Sequence, residues 1–176
     1  GYGLFDGHTS LYEFMADPAK HSLSPLIHNT SFQALHINSV YLAFEIDHDH
    51  LIDVVRAMRS LSIHGINVSM PYKEAIIDYL DELTPVAQQL EAVNTVINDN
   101  GHLIGDSTDG EGFLNALADE GITVAGKRVV VLGAGGAGRA IIAACAAADA
   151  TVTVFKRHNG TFEDVRQRLT SWSPNI

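Results

Sequence analysis

Residues Arg128–Leu132 (RVVVL) run directly into Gly133-Ala134-Gly135-Gly136-Ala137-Gly138, and an alanine-rich stretch continues to Ala148. This order, strand then glycine loop then helix, leaves few folds open. An unbroken β-branched run is the pattern of a parallel strand buried on both faces. The glycine spacing after it is the fingerprint of a dinucleotide-binding βαβ unit. Gly133 allows the tight turn, Gly135 lets the backbone approach a pyrophosphate, and Gly138 lets helix and strand pack closely. With Gly136 and Ala137 the loop passes into a helix over 137–148, whose free amides and positive end suit that anion. A second strand is expected at Thr151–Phe155 and an amphipathic helix over 162–169. The result is β-α-β-α, the start of a doubly wound fold.

The end of the second strand bears on the cofactor. A site selective for NAD usually carries Asp or Glu there, about 20 residues beyond the loop, bonded to the ribose hydroxyls. Here Phe155 is followed by Lys156-Arg157-His158. Lys156 and Arg157 suit a 2′-phosphate, so NADP is expected. The plainer alternative is two solvated cations after a strand.

Strand-like and helix-like segments also alternate ahead of this unit. Stretches 11–15, 40–46 and 63–68 read as strands, and residues 1–10 as a loose lead-in. Ser24-Pro25 starts a helix to about residue 35, with Ser24 as N-cap and Pro25 at the first helical position. Residues 49–61 place Leu51, Val54, Val55, Met58 and Leu61 at helical spacing. Pro71 is expected to open a helix to about residue 80, and Thr84-Pro85 a short one ending near Leu90. Stretches 93–97 and 102–104 form a hairpin about Asp99-Asn100-Gly101. Asp109 is placed to cap a helix that runs to Glu120 and bridges two units. The fold class is therefore α/β: an N-terminal α/β substrate domain over 1–108, then the first half of a Rossmann-type domain over 109–176.

Composition narrows the partners. The formal net charge is -10 and no run of Lys or Arg occurs, which disfavours nucleic acid and anionic membranes. No stretch reaches the roughly 18 apolar residues that span a bilayer, and no basic-then-apolar leader is present, so a cytoplasmic location is the default expectation. Cys145 is the only cysteine, and its alanine-rich setting marks a small buried hydrophobe. The histidines lack metal-ligand spacing, and no metal is expected.

Two polar constellations precede the glycine loop: Asn67-Val68-Ser69-Met70-Pro71-Tyr72-Lys73 and Gly105-Asp106-Ser107-Thr108-Asp109-Gly110. A lysine and a carboxylate are what a hydride-transfer site needs beside a dinucleotide, one to move a proton and one to hold the mover. With His21-Ser22-Leu23-Ser24-Pro25-Leu26-Ile27-His28-Asn29 and Glu91-Ala92-Val93-Asn94-Thr95, the chain resembles the shikimate dehydrogenase family from about residue 11 to 169. The motifs stand in the family's order.

The resemblance implies reversible, NADP-dependent reduction of 3-dehydroshikimate to shikimate. By it, Ser22 and Ser24 bind the substrate carboxylate, Ser69 contributes a hydroxyl where the family usually has Thr, and Asn94 fixes a ring hydroxyl. Lys73 is the proton-transfer residue and Asp109 its partner, also touching substrate. Each has a plainer alternative: Ser24 and Asp109 as helix caps, Asn94 in turn bonding, Lys73 as a solvated residue in a helix's first turn. That last placement opposes the helix dipole, which favours a functional role.

Departures from the family pattern are Asp106, Ser107, and Lys156-Arg157-His158 in place of Asn-Arg-Thr. Of the last three, only Arg157 keeps the family's residue. The partner expected is a small-molecule substrate, with a homodimer left open. The family's cofactor domain continues for about 100 residues beyond the half seen here, by comparison with the six-strand arrangement. Little or no turnover is therefore expected of this chain alone. Rival readings are a quinate/shikimate dehydrogenase using NAD, a non-catalytic shikimate-binding module, and a methylenetetrahydrofolate dehydrogenase, which lacks a reason for the Ser22/Ser24 loop.

Overall fold

The computed structural model describes residues 5–176. Of the expected lead-in, residues 1–4 lie outside the described part, and Ser10 already belongs to a strand. The chain divides into two compact units, Gly1–Asp106 and Ser107–Ile176.

The first unit is a six-stranded sheet of order β2-β1-β3-β5-β6-β4. Its strands are β1 (Ser10–Ala16), β2 (Ser39–Glu45), β3 (Gly65–Val68), β4 (Glu82–Leu83), β5 (Thr95–Asp99) and β6 (His102–Asp106). β1 pairs in parallel with β2 and β3, whereas β5 is antiparallel to both β3 and β6. The β5–β6 turn has φ +52° at Asn100 and +94° at Gly101, the two left-handed residues that a tight hairpin demands. Helix α2 (Leu51–Ser60) buries Leu51, Val55 and Met58 against one sheet face, joined by Met15, Ile66, Val68, Tyr72 and Val96. Each such side chain stabilises the unit by roughly 1.5–3 kcal/mol.

Helix α1 (Ser24–Ala34) covers the other face, where its His28 stacks on Tyr41 of β2 and its Phe32 meets Tyr12 of β1. β2 is an edge strand, and edge amides left bare invite pairing with another chain. Asn29 of α1 seals the middle of this edge. Its amide accepts from the Tyr41 N–H at 2.9 Å and donates to the Tyr41 carbonyl at 2.8 Å.

Two helix starts differ from expectation. α1 begins at Ser24 itself, its N-cap is Leu23, and no side chain caps it; the Ser24 hydroxyl is thus not used as a cap. No α-helix follows Pro71. The Lys73 carbonyl accepts from the Val93 N–H at 2.8 Å instead of from a residue one turn on, so the helical ladder breaks. Only a 3₁₀ turn, Ala75–Tyr79, forms. Lys73 therefore precedes a single 3₁₀ turn and opposes no α-helix dipole. By contrast α3 (Pro85–Leu90) starts as its sequence dictates, with the Thr84 hydroxyl accepting from the Ala87 N–H. That hydroxyl donates in turn to Asp106 at 2.7 Å, which gives the unusual Asp106 a structural duty.

Glu13 is an anomaly in this core. It lies on central strand β1 between Leu42 and Ile66, shares the face of Leu11 and Met15, and is only 8% exposed. Burial raises its pKa. The folded state thus keeps the proton to higher pH than the unfolded chain does. The associated stability is complete below the unfolded value and is lost as pH rises through the folded one, at no more than ~1.4 kcal/mol per pH unit. Glu13→Gln should remove that slope. Urea unfolding between pH 4 and 8 checks this, and parallel curves for the two proteins would refute it.

The second unit holds α4 (Asp109–Asp119), β7 (Arg128–Leu132), α5 (Gly136–Ala147), β8 (Thr151–Phe155) and α6 (Phe162–Trp172), with β7 and β8 parallel. Val129, Val131, Val152 and Val154 face a core of Ile142, Cys145, Ala146 and Leu169. β7 is not buried on both faces as expected: Val130 is 59% and Leu132 82% exposed. The helices that pack on this sheet cover one face only. After α6 the chain returns to the free edge of β8, where the Asn175 carbonyl accepts from the Val152 N–H at 2.7 Å. Among the described residues no helix is long and apolar enough to cross a membrane.

Candidate functional site

In the first unit the carboxyl ends of β1 and β3 are tied together. The Ser69 N–H donates to the Met15 carbonyl at 2.9 Å and the Asp17 N–H to the Met70 carbonyl at 3.2 Å. In parallel sheets such ends are where ligands bind. Backbone bonds also knit the lysine and asparagine stretches to this edge. The Val68 N–H donates to the Asn94 carbonyl at 2.7 Å, and Val93 next to it holds the Lys73 carbonyl. Ser69, Lys73 and Asn94 are therefore carried on neighbouring, mutually fixed backbone, and all three are half-buried.

A polar chain crosses the same region. It starts at the Tyr41 phenol, whose O–H donates to Asn67 Oδ1 at 2.8 Å. Asn67 Nδ2 donates to Thr95 Oγ1 at 3.1 Å, and Thr95 Oγ1 to Asn94 Oδ1 at 2.9 Å. Burial pushes the Tyr41 pKa up to about 12, partly offset by Ser24, so the phenol stays a donor. Tyr41, Asn67 and Thr95 were not singled out from sequence. An Asn at a strand position otherwise filled by apolar residues was the available signal. Tyr41, Asn67 and Thr95 also line an open groove of about 560 Å³ along the sheet face under α1. A hollow of about 660 Å³ beside Phe5, Gln33 and His36 shares none of the candidate residues.

The second unit carries Asp109 and the glycine loop. Asp109 is the first residue of α4 and Thr108 its N-cap, so Asp109 stands one position inside the helix start and not at the N-cap itself. Gly110 has a packing reason. A Cβ there would lie 2.6 Å from the Ala140 carbonyl oxygen of α5. In the loop, Gly133 has φ +102°, and a Cβ on Gly138 would meet the Gly133 carbonyl oxygen at 2.5 Å. Gly135, the N-cap of α5, has φ -76° and nothing within 4 Å of its missing Cβ. Neither conformation nor protein packing calls for glycine at 135, so the open space in front of this helix end fits an approaching dinucleotide backbone.

After β8 the two cations part ways. Lys156 Nζ donates to Asn159 Oδ1 at 2.6 Å and Thr161 Oγ1 at 2.9 Å, which commits the ammonium to its own loop. Arg157 is exposed.

Residues 14–96 match the shikimate dehydrogenase substrate binding domain. The match falls within the first unit. The chain is 43% identical over 169 residues to a shikimate dehydrogenase (NADP(+)) of Lactococcus lactis, covering 96% of this chain and 59% of the relative. Among solved structures, a shikimate 5-dehydrogenase of Listeria monocytogenes, in complex with shikimate and NAD, superimposes with TM-score 0.89 at 41% identity, over 96% of this chain and 58% of that one. The enzyme of Thermus thermophilus, in complex with NADP(H) and shikimate, gives 0.84 at 35%, over 91% and 60%. This chain therefore spans less than two thirds of the shikimate dehydrogenases it matches. The α/β class and the Rossmann-type start of the second unit agree with these relatives.

Proposed function

We propose that this chain provides the substrate unit and the first cofactor-binding strands of an NADP-dependent shikimate dehydrogenase that interconverts shikimate and 3-dehydroshikimate. One observation carries the reading: Ser69, Lys73 and Asn94 gather at one sheet end through backbone and side-chain bonds, within the matched substrate-binding domain.

In this reading the Ser22 and Ser24 hydroxyls take the substrate carboxylate, while Ser69 and Asn94 take ring hydroxyls. Lys73 donates a proton to the carbonyl oxygen during reduction and stabilises the charge that develops there. In the reverse direction it accepts that proton. Asp109 is the carboxylate that bonds a substrate hydroxyl. The nicotinamide, when bound, supplies or receives the hydride. Gly133, Gly135, Gly136, Ala137 and Gly138 hold the pyrophosphate, and Arg157 takes the 2′-phosphate. Lys156, whose ammonium also donates to Asn159 and Thr161 of its own loop, stands next to Arg157 and bears on the same phosphate.

The test is shikimate-dependent reduction of NADP by the full-length protein, with quinate and NAD as competitors. Shikimate that binds without any NADP reduction would leave only a binding module. Arg157→Ala should weaken NADPH binding by about 10- to 100-fold, the worth of one or two bonds to a charged group, with NADH unaffected. Equal losses for both cofactors in fluorescence titrations would remove Arg157 from the 2′-phosphate.

A further inference from the structure

We infer that Glu45, at the end of β2, is a positioning residue that holds the Ser22/Ser24 loop in its substrate-binding shape, an inference resting on the function proposed above. Three hydrogen bonds join the carboxylate to both serines. Glu45 Oε2 accepts from the Ala19 N–H at 2.9 Å. The Ala19 carbonyl accepts from the Ser22 N–H at 3.1 Å. Ser22 Oγ then accepts from the Ser24 N–H at 3.2 Å, and Ser24 opens α1. With its oxygen used as acceptor, the Ser22 hydroxyl keeps its proton for an external anion.

The second carboxylate oxygen, Oε1, pairs with Lys20 Nζ at 3.2 Å. That pair is exposed at the lysine end and is a weak tether. The Ala19 bond matters more, because Ala19 is 3% exposed and a buried amide left without an acceptor has no water to turn to. Lys20 has a different use. A bare carboxylate behind the loop would repel an anionic substrate, and the ammonium offsets that charge. No residue of this chain of links was assigned to chemistry except the serines themselves, so Glu45 can be changed without touching the reacting groups.

The experiment uses the full-length protein, with amide hydrogen exchange in the absence of ligand and shikimate titration by calorimetry. Glu45→Ala should speed exchange at Ala19, Ser22 and Ser24 by about tenfold or more relative to the rest of the first unit. It should raise Kd and KM for shikimate by about tenfold and leave kcat within about twofold. Glu45→Gln keeps an acceptor for the Ala19 N–H and should recover most of both effects, and it serves as the test protein if the alanine variant does not fold; in that case its exchange at residues 19–24 should stay near the unmutated value. Unchanged exchange in Glu45→Ala, exchange raised evenly through the unit, or unchanged shikimate affinity would each overturn the inference, as would fast loop exchange in Glu45→Gln. An unmutated protein that binds no shikimate would overturn the proposed function, and this inference with it.

Discussion

Replacing Lys73 by alanine in the full-length protein should lower kcat for shikimate oxidation by about 10²- to 10⁴-fold while shikimate still binds. The separation of the two effects follows from how the residue is built into the fold. Its carbonyl, not its side chain, takes the Val93 N–H, so the backbone tie between the lysine and asparagine stretches survives truncation. The binding groups proposed for the carboxylate and ring hydroxyls are on other residues. A loss in kcat with little change in binding is the signature of an interaction made in the transition state. Lys73→Arg divides the role further. Arginine keeps the positive charge but does not give up its proton, so it retains electrostatic stabilisation and loses proton transfer. Calorimetric Kd values beside initial rates measure both parts. An alanine variant with undiminished kcat would move the chemistry to another residue.

The parts of the fold that the sequence revealed are those set by local chemistry. Arg128–Leu132 and Thr151–Phe155 have the bounds expected of them, because β-branched runs between turn signals admit one reading. Thr84 caps α3 as a Thr-Pro pair should, and Asn100-Gly101 makes its hairpin. What stayed hidden depends on partners distant in the chain. Nothing near Pro71 announces that the Lys73 carbonyl will be claimed by Val93, which is why a helix was expected and a 3₁₀ turn forms. The exposure of Val130 and Leu132 depends on which sheet face finds a cover, and an apolar run does not say.

The same division applies to the site. Ser22, Ser24, Ser69, Lys73 and Asn94 could be named because short motifs carry them. Tyr41, Asn67 and Thr95 emerge only when β2, β3 and β5 are assembled into one sheet. Glu45 and Ala19 are 26 residues apart, and no spacing rule connects them. Lys156 shows what residue type leaves out: its charge suits a phosphate, and Asn159 and Thr161 fix where the ammonium stands.

Gly133, Gly135 and Gly138 of the loop should respond differently to substitution, and the pattern tests whether a dinucleotide is what the loop serves. Gly138→Ala places a Cβ 2.5 Å from a backbone oxygen of Gly133, and no flexible side chain is there to move aside. The loop or the helix must shift, at about 1–3 kcal/mol in stability, and NADPH binding should fall with it. Gly133→Ala forces an L side chain into φ +102°, at about 1 kcal/mol or more. Gly135→Ser should behave in the opposite sense. Its backbone is in an ordinary extended conformation and its Cβ meets no protein atom within 4 Å. Serine is also a favoured N-cap, so stability should stay within about 0.5 kcal/mol. Only a ligand lying against the loop would register the new side chain, and NADPH affinity should drop about tenfold or more. Urea unfolding separates the first two variants from the third, and NADPH fluorescence titration then decides the third. A Gly135→Ser protein that binds NADPH as tightly as the unmutated one would mean that nothing approaches the backbone there, and the glycine fingerprint would be a turn between strand and helix with no cofactor to hold.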